Sequence, residues 1–144
     1  MPHYISVPIT CPRCGTIGTE HWCAGVTPLG LRTSNGFRCE CCGCGHEGDG
    51  DQIPDDVREA FVLAEGLWTL AVVALGARPL GSIRIVRERT STSPSEALRM
   101  VREREIIIRA TLAEVEQLRM LLEREGAQVL VRRCGQGPRP PTRS

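Results

Sequence analysis

Two pairs of cysteines with the same spacing constrain this chain more than any other feature of its sequence. Cys11-Pro-Arg-Cys14 is followed by Gly15, and Cys39-Glu-Cys-Cys42 is followed by Gly43. Two intervening residues place both thiols of a pair on one side of a tight turn, and the glycine supplies the backbone freedom that the turn needs. Two such turns provide four thiolates for a tetrahedral ion. The spacing therefore predicts one structural Zn²⁺ held by Cys11, Cys14, Cys39 and Cys42.

The 24 residues between the two pairs are rich in turn-forming residues, namely Gly25, Pro28, Gly30, Asn35 and Gly36. That composition favours short strands joined by turns, the layout of a zinc ribbon, over residues 1–50. Four thiolates leave no open position for water or substrate, so we expect the zinc to fold the module and not to catalyse a reaction. A disulfide-linked segment is the alternative. The N-terminus lacks the pattern of a secretory signal, which favours the metal and leads us to expect a cytoplasmic protein.

The second pair can also be read one turn later, as Cys41 and Cys44 followed by Gly45. We favour Cys39 and Cys42, because Phe37 lies two residues before Cys39 and can cover a metal site with an apolar side chain. Other residues of the first half remain as substitutes or as ligands of a second site: His21, Cys23 and His46. The cysteines outside the four predicted ligands could instead serve a thiol-redox role, and these are Cys41, Cys44 and Cys134.

The distribution of charged residues divides the chain into two halves, as the distribution of cysteines does. Up to residue 77, four arginines face nine acidic residues, a net charge of −5; from residue 78 onward, fourteen arginines face eight glutamates, a net charge of +6. Two modules of opposite sign are indicated. The acidic first half predicts weak attraction to phosphates, and an aromatic content of 3% disfavours a base-stacking platform. The longest uncharged stretches are too short to cross a membrane.

The remaining sequence predicts a linker helix over residues 51–65 and an α+β domain over residues 66–133. Apolar runs, Pro79 and capping boxes at Ser93 and Thr111 predict its elements in the order βααβαβ. The strands are expected at 67–75, 106–108 and 129–131, and the helices at 79–89, from 94 and from 112 up to Gly126. Residues 134–144 are predicted to form a flexible tail.

Three motifs in this second half match a known family. Its first helix reads approximately G-A-x-K-x-x-V-I-K-x-V-R, beside Gly76-Ala-Arg-Pro-Leu-Gly-Ser-Ile-Arg-Ile-Val-Arg87 here. Its next helix contains K-E-A-x-x-L-V, beside Ser95-Glu-Ala-Leu-Arg-Met-Val101, and its ending L-x-x-x-G-A-x-V-x-V-K matches Leu122-Glu-Arg-Glu-Gly-Ala-Gln-Val-Leu-Val-Arg132. From about Gly66 to Arg132 the chain resembles the C-terminal domain of the bacterial large-subunit ribosomal stalk protein, the L-seven/L-twelve family.

The resemblance implies a surface on the first two helices that recruits translational GTPases to the ribosome. On the first helix, one face carries the residues at positions i, i+3, i+4 and i+7, which are Leu80, Ile83, Arg84 and Arg87. If Ile85 and Val86 pack on the sheet, these four form an exposed apolar anchor with a basic rim, suited to an acidic partner. Periodicity alone equally allows Leu80 and Ile83 to be the core stripe.

These observations predict a non-catalytic, zinc-containing adaptor related to translation, with a protein partner that is a translational GTPase or a ribosomal component. The alternative is a nucleic-acid-binding zinc-ribbon regulator that also uses the arginine-rich second half. An enzyme is the least favoured class, because no Ser/His/Asp or Cys/His set is evident.

Overall fold

The computed structural model describes residues 2–134, which form two compact units that divide between Glu65 and Gly66. Both units combine strands with helices, so the predicted α+β class is confirmed. The N-terminal unit contains four strands and a helix: β1 (His3–Thr10), β2 (Ile17–Thr27), β3 (Gly30–Arg38), β4 (Gly45–Gly50) and α1 (Asp55–Glu65). The C-terminal unit contains β5 (Trp68–Ala74), α2 (Pro79–Thr90), α3 (Pro94–Arg102), β6 (Ile106–Ala110), α4 (Leu112–Arg124) and β7 (Gln128–Arg133).

The N-terminal sheet is wholly antiparallel, with strand order β1-β2-β3-β4. Its two central strands join the cysteine pairs and are longer than predicted, with 11 and 9 residues. Their register places Glu20 opposite Phe37, and Phe37 in turn opposite His46. Since side chains alternate along a strand, these three residues share one face of the sheet.

Helix α1 packs against β1 and closes the inner face of this sheet. Its buried residues, Val57 and Phe61, join the apolar side chains of the inner face, Ile5, Ala24 and Leu31. The helix that the sequence predicted as a linker over 51–65 thus belongs to the N-terminal unit. It begins directly after Pro54, with Asp55 and Asp56 in its first turn, where acidic side chains favour the positive end of the helix dipole.

The C-terminal unit has the predicted order βααβαβ, and its antiparallel sheet has the strand order β6-β5-β7. Both predicted N-caps are present, but only the one at Thr111 is the full capping box that was predicted for both. The hydroxyl of Ser93 accepts the amide of Glu96 at 3.2 Å, and Thr111 and Glu114 form a reciprocal capping box. The core lies between this sheet and the three helices, around Leu70, Val72, Val86, Ala97, Val115, Leu118 and Leu122.

Two glycines hold the turn after β5 against the turn after α4. Gly76 and Gly126 have φ values of +72° and +84°, a region that side chains rarely occupy. A Cβ atom on Gly76 would lie 1.8 Å from the carbonyl oxygen of Gly126. This close approach of two backbones requires glycine at position 76.

No helix within residues 2–134 is long and apolar enough to span a bilayer. The predicted tail, residues 134–144, lies outside the described residues except for Cys134, whose amide donates to the carbonyl of Leu67 at 2.7 Å.

Candidate metal centre

Each cysteine pair lies on a turn with the same backbone hydrogen bonds. In the first turn, the amide of Gly15 donates to the carbonyl of Cys11 at 2.9 Å, and the amide of Cys11 donates to the carbonyl of Thr16 at 2.8 Å. The second turn, Cys39 to Cys44, repeats both bonds at 2.9 and 2.7 Å. The glycine of each turn has a φ of +75°, so glycine stands where the left-handed conformation requires it.

The two turns bring four thiols together. All four sulfur atoms lie within 4.8 Å of one another, with 3.7 Å between Cys11 and Cys42 and 3.5 Å between Cys14 and Cys39. A tetrahedron with Zn–S bonds of ~2.3 Å has sulfur–sulfur edges of ~3.8 Å. The spacing therefore fits the donor set of one metal ion, and these are the four cysteines that the sequence predicted.

The alternative register of the second pair is not assembled. Cys41 is exposed and lies outside the four-thiol group. Cys44 is half-buried beside the cluster, and its carbonyl accepts the amide of Cys39, as the carbonyl of Thr16 accepts that of Cys11. Cys44 therefore occupies the position after the turn that Thr16 occupies in the first pair, and its carbonyl holds the backbone of Cys39.

The metal-free thiols differ in acidity. Hydrogen bonds from the Thr16 hydroxyl and amide lower the pKa of Cys14 to about 6. A backbone hydrogen bond from Cys14 lowers the pKa of Cys11. The backbone of Cys44 acts in the same direction on Cys42, but burial and the three neighbouring thiols outweigh it and raise the pKa of Cys42 to about 12. A metal ion that binds all four as thiolates must displace the proton of Cys42.

An apolar wall covers one side of the thiols. Phe37 is 5% exposed and clusters with Cys11 and Cys39, with Ile9 against them, as its position before Cys39 predicted. Its ring lies so close to β2 that a Cβ on Gly18 would be 2.9 Å from the ring. Such a wall excludes water from the buried thiols.

A polar cluster beside Phe37 was missed in the sequence. Glu20 is 8% exposed, and its carboxylate accepts hydrogen bonds from Trp22 at 2.6 Å, Asn35 at 3.2 Å and His46 at 2.8 Å. Burial raises the pKa of Glu20, but the bonds from His46, Trp22 and Asn35 outweigh it and lower the pKa overall. The sequence does contain one indication of this cluster. Glu20, Trp22 and Ala24 are alternate residues of β2, so the side chain of Glu20 lies on the same face of the sheet as the buried Ala24.

The other predicted substitutes lie outside the four-thiol group. His46 bonds to Glu20, and the ring of His21 lies 3.0 Å from the hydroxyl of Ser6 on the exposed face of the sheet. Cys23, the third predicted substitute, is half-buried, as is Cys134, which was considered only for a redox role. Among residues 2–134 the four-thiol group is the one set of three or more His, Cys, Asp or Glu side chains placed to hold a metal.

The predicted partner-binding residues on α2 divide between core and surface. Leu80 is 86% exposed, and Arg84 and Arg87 are exposed one and two turns later. We call these three residues the basic stripe. Ile83, predicted to share this surface, is buried, so that part of the prediction is wrong. Ile83 packs into the core with Val86 on the buried face of α2, beside the fully buried Ser82, whose hydroxyl donates to the carbonyl of Leu75.

Comparison with known proteins identified no family and no curated relative for this chain.

Proposed function

We propose that this chain is a non-catalytic adaptor whose N-terminal unit is a structural zinc ribbon and whose C-terminal unit docks a protein of the translation apparatus. The observation that supports it best is the pairing of a closed four-thiol site with an exposed basic stripe on a βααβαβ domain. In this proposal the four thiols stabilise the N-terminal unit by binding a metal ion, and the basic stripe contacts the protein partner.

Zinc is the metal that this donor set fits best. It is bound by four thiolates in closed structural sites, and its binding free energy is folding free energy for small domains. Cys11, Cys14, Cys39 and Cys42 would hold it, joining the turn between β1 and β2 to the turn between β3 and β4. The ion would cross-link these turns.

The basic stripe suits an acidic partner. Leu80 offers an apolar anchor, and Arg84 and Arg87 offer two cations at i+4 and i+7 on the same side of α2. Aromatic or aliphatic anchors with a charged rim are the usual composition of a docking site, and the arginines favour a partner that carries carboxylates. By the family resemblance, translational GTPases such as elongation factors Tu and G are the first candidates.

A titration of the zinc-loaded protein with elongation factors Tu and G, followed by NMR, tests the docking role. Saturable binding with shifts centred on Leu80, Arg84 and Arg87 is the expected result, and Arg84→Glu/Arg87→Glu should abolish it. Arg132→Glu, which changes the charge of an exposed strand residue, is the control and should bind normally. Absence of binding at high micromolar factor would remove this function.

A second function is favoured by one feature of the C-terminal sheet. The register places Arg109 and Arg132 on either side of Thr69, both exposed on the same face. A nucleic-acid-binding regulator would use these cations together with the arginine-rich helices. Its signature is RNA or DNA binding that falls steeply with salt, and no binding at low salt would remove it.

A further inference from the structure

Helix α1 carries an exposed stripe that is acidic and has one apolar residue. Asp56, Glu59 and Leu63 lie at i, i+3 and i+7, and all three are exposed. Leu63 is 81% exposed, although α1 buries Val57 and Phe61 on its other side. Within residues 2–134 neither Asp56 nor Glu59 has an ion-pair partner. We call these three residues the acidic stripe.

The basic stripe of α2 has the opposite charges in the reverse order. Leu80 comes first, followed by Arg84 and Arg87, and Leu80 is even more exposed than Leu63. Arg87 Nε donates to the carbonyl of Thr92 at 3.2 Å, and the side chains of both arginines are exposed.

The spacings of the two stripes match when the helices run antiparallel. From Leu63 toward the start of α1, the steps are four residues to Glu59 and three more to Asp56. From Leu80 toward the end of α2, the steps are four residues to Arg84 and three more to Arg87. An antiparallel pair therefore sets leucine against leucine and both carboxylates against both guanidiniums: Leu63 with Leu80, Glu59 with Arg84, and Asp56 with Arg87.

We propose that the chain self-associates by docking the acidic stripe of one copy on the basic stripe of another. Because the contact joins two different surfaces, each copy offers one of each kind, and the association is heterologous. The contact is small and its charges are near water, so it is weak, concentration-dependent and sensitive to salt. The contact covers the basic stripe, which is also the surface that binds the partner in the proposed function. The predicted competition with that partner therefore rests on the proposed function. Self-association then competes with the partner for α2.

The test is a charge exchange followed by sedimentation velocity, from low micromolar to near-millimolar concentrations of the zinc-loaded full chain. Asp56→Lys/Glu59→Lys makes both stripes basic, and Arg84→Glu/Arg87→Glu makes both stripes acidic. We expect each variant alone to associate at least ~10-fold more weakly than the unmodified chain, because like charges then face each other. An equal mixture of the two variants pairs opposite charges again and should recover the association.

Two controls change the same kinds of charge elsewhere. Glu47→Lys on β4 and Arg132→Glu on β7 are exposed positions outside both stripes, and both should associate like the unmodified chain. A chain that stays monomeric at every concentration overturns the proposal, and so does a mixture of variants that fails to associate while each is folded. Association that Glu47→Lys weakens equally would show net charge to be its cause and would also overturn it.

The outcomes for the two proposals are separable. Asp56→Lys/Glu59→Lys should lose self-association and still bind the elongation factors, because its basic stripe is intact. A monomeric chain that binds the factors contradicts self-association alone. An associating chain that ignores the factors contradicts only the proposed function.

Discussion

The neighbouring residues Cys41 and Cys42 distinguish the two registers of the second turn. Their thiols are one position apart, but only Cys42 lies within the four-thiol group. We expect Cys42→Ser to bind less than one zinc per chain and to lower the thermal stability of the N-terminal unit, because three thiolates remain. Cys41→Ser and Cys44→Ser should keep one zinc, measured by elemental analysis of dialysed protein. Loss of zinc in Cys44→Ser with retention in Cys42→Ser would assign the later register.

The acidities of Cys14 and Cys42 predict how zinc binding depends on pH. At neutral pH, Cys14 is largely thiolate, because its pKa is lowered to about 6, whereas Cys42 is protonated, because its pKa is raised to about 12. Zinc must then release the proton of Cys42 but little from Cys14, so affinity should rise with pH across the neutral range. Calorimetric titrations in buffers of different ionisation enthalpy count the protons released. Affinity that is independent of pH over roughly pH 6 to 8, where Cys42 keeps its proton until the metal binds, would contradict this assignment.

At the scale of elements, the close approach of Gly76 to Gly126 predicts opposite effects for two glycine substitutions. Gly76→Ala should destabilise the C-terminal unit by roughly 2 kcal/mol or more, because its φ is +72° and a Cβ would meet the Gly126 carbonyl oxygen. Gly81→Ala within α2 should be neutral or stabilising by up to ~1 kcal/mol. There a Cβ would meet the end of the flexible Glu125 side chain, which can move. Urea unfolding followed by circular dichroism compares them, and equal losses would show that the backbone contact is not tight.

The sequence predicted those elements whose signals are local. Ser93 and Thr111 cap their helices as expected, and Gly15 and Gly43 follow the paired cysteines where each turn becomes left-handed. Strands β1 and β4 were not predicted, although each pairs with its neighbour in sequence across a cysteine turn. Strand β4 consists of glycine and polar residues and β1 contains Pro8, so each departs from the composition typical of a strand. The orientation of α2 was also not predicted, because its periodicity allows two apolar faces and only the packing against the sheet shows that Ile83 and Val86 lie on the buried one.

At the scale of the whole molecule, all four candidate ligands lie in one of the two units. If the site holds zinc as proposed, a strong chelator should unfold the N-terminal unit, because metal binding would supply much of the folding free energy of so small a sheet. The amide resonances of residues 66–134 should keep their dispersion, while those of β2 and β3 collapse to the centre of the spectrum. Addition of zinc should restore them. A collapse of both sets of resonances would show that the C-terminal unit does not fold independently.

The unequal exposure of the four cysteines gives a metal ion at this site an inner and an outer side. Cys11 and Cys39 are 2% and 3% exposed behind Phe37, whereas Cys14 is exposed and Cys42 is half-buried. A competing ligand or an oxidant arriving from solvent therefore meets the second cysteine of each pair first. We therefore expect an ion bound here to lose Cys14 early during exchange and to be held longest by the sheltered thiols of Cys11 and Cys39.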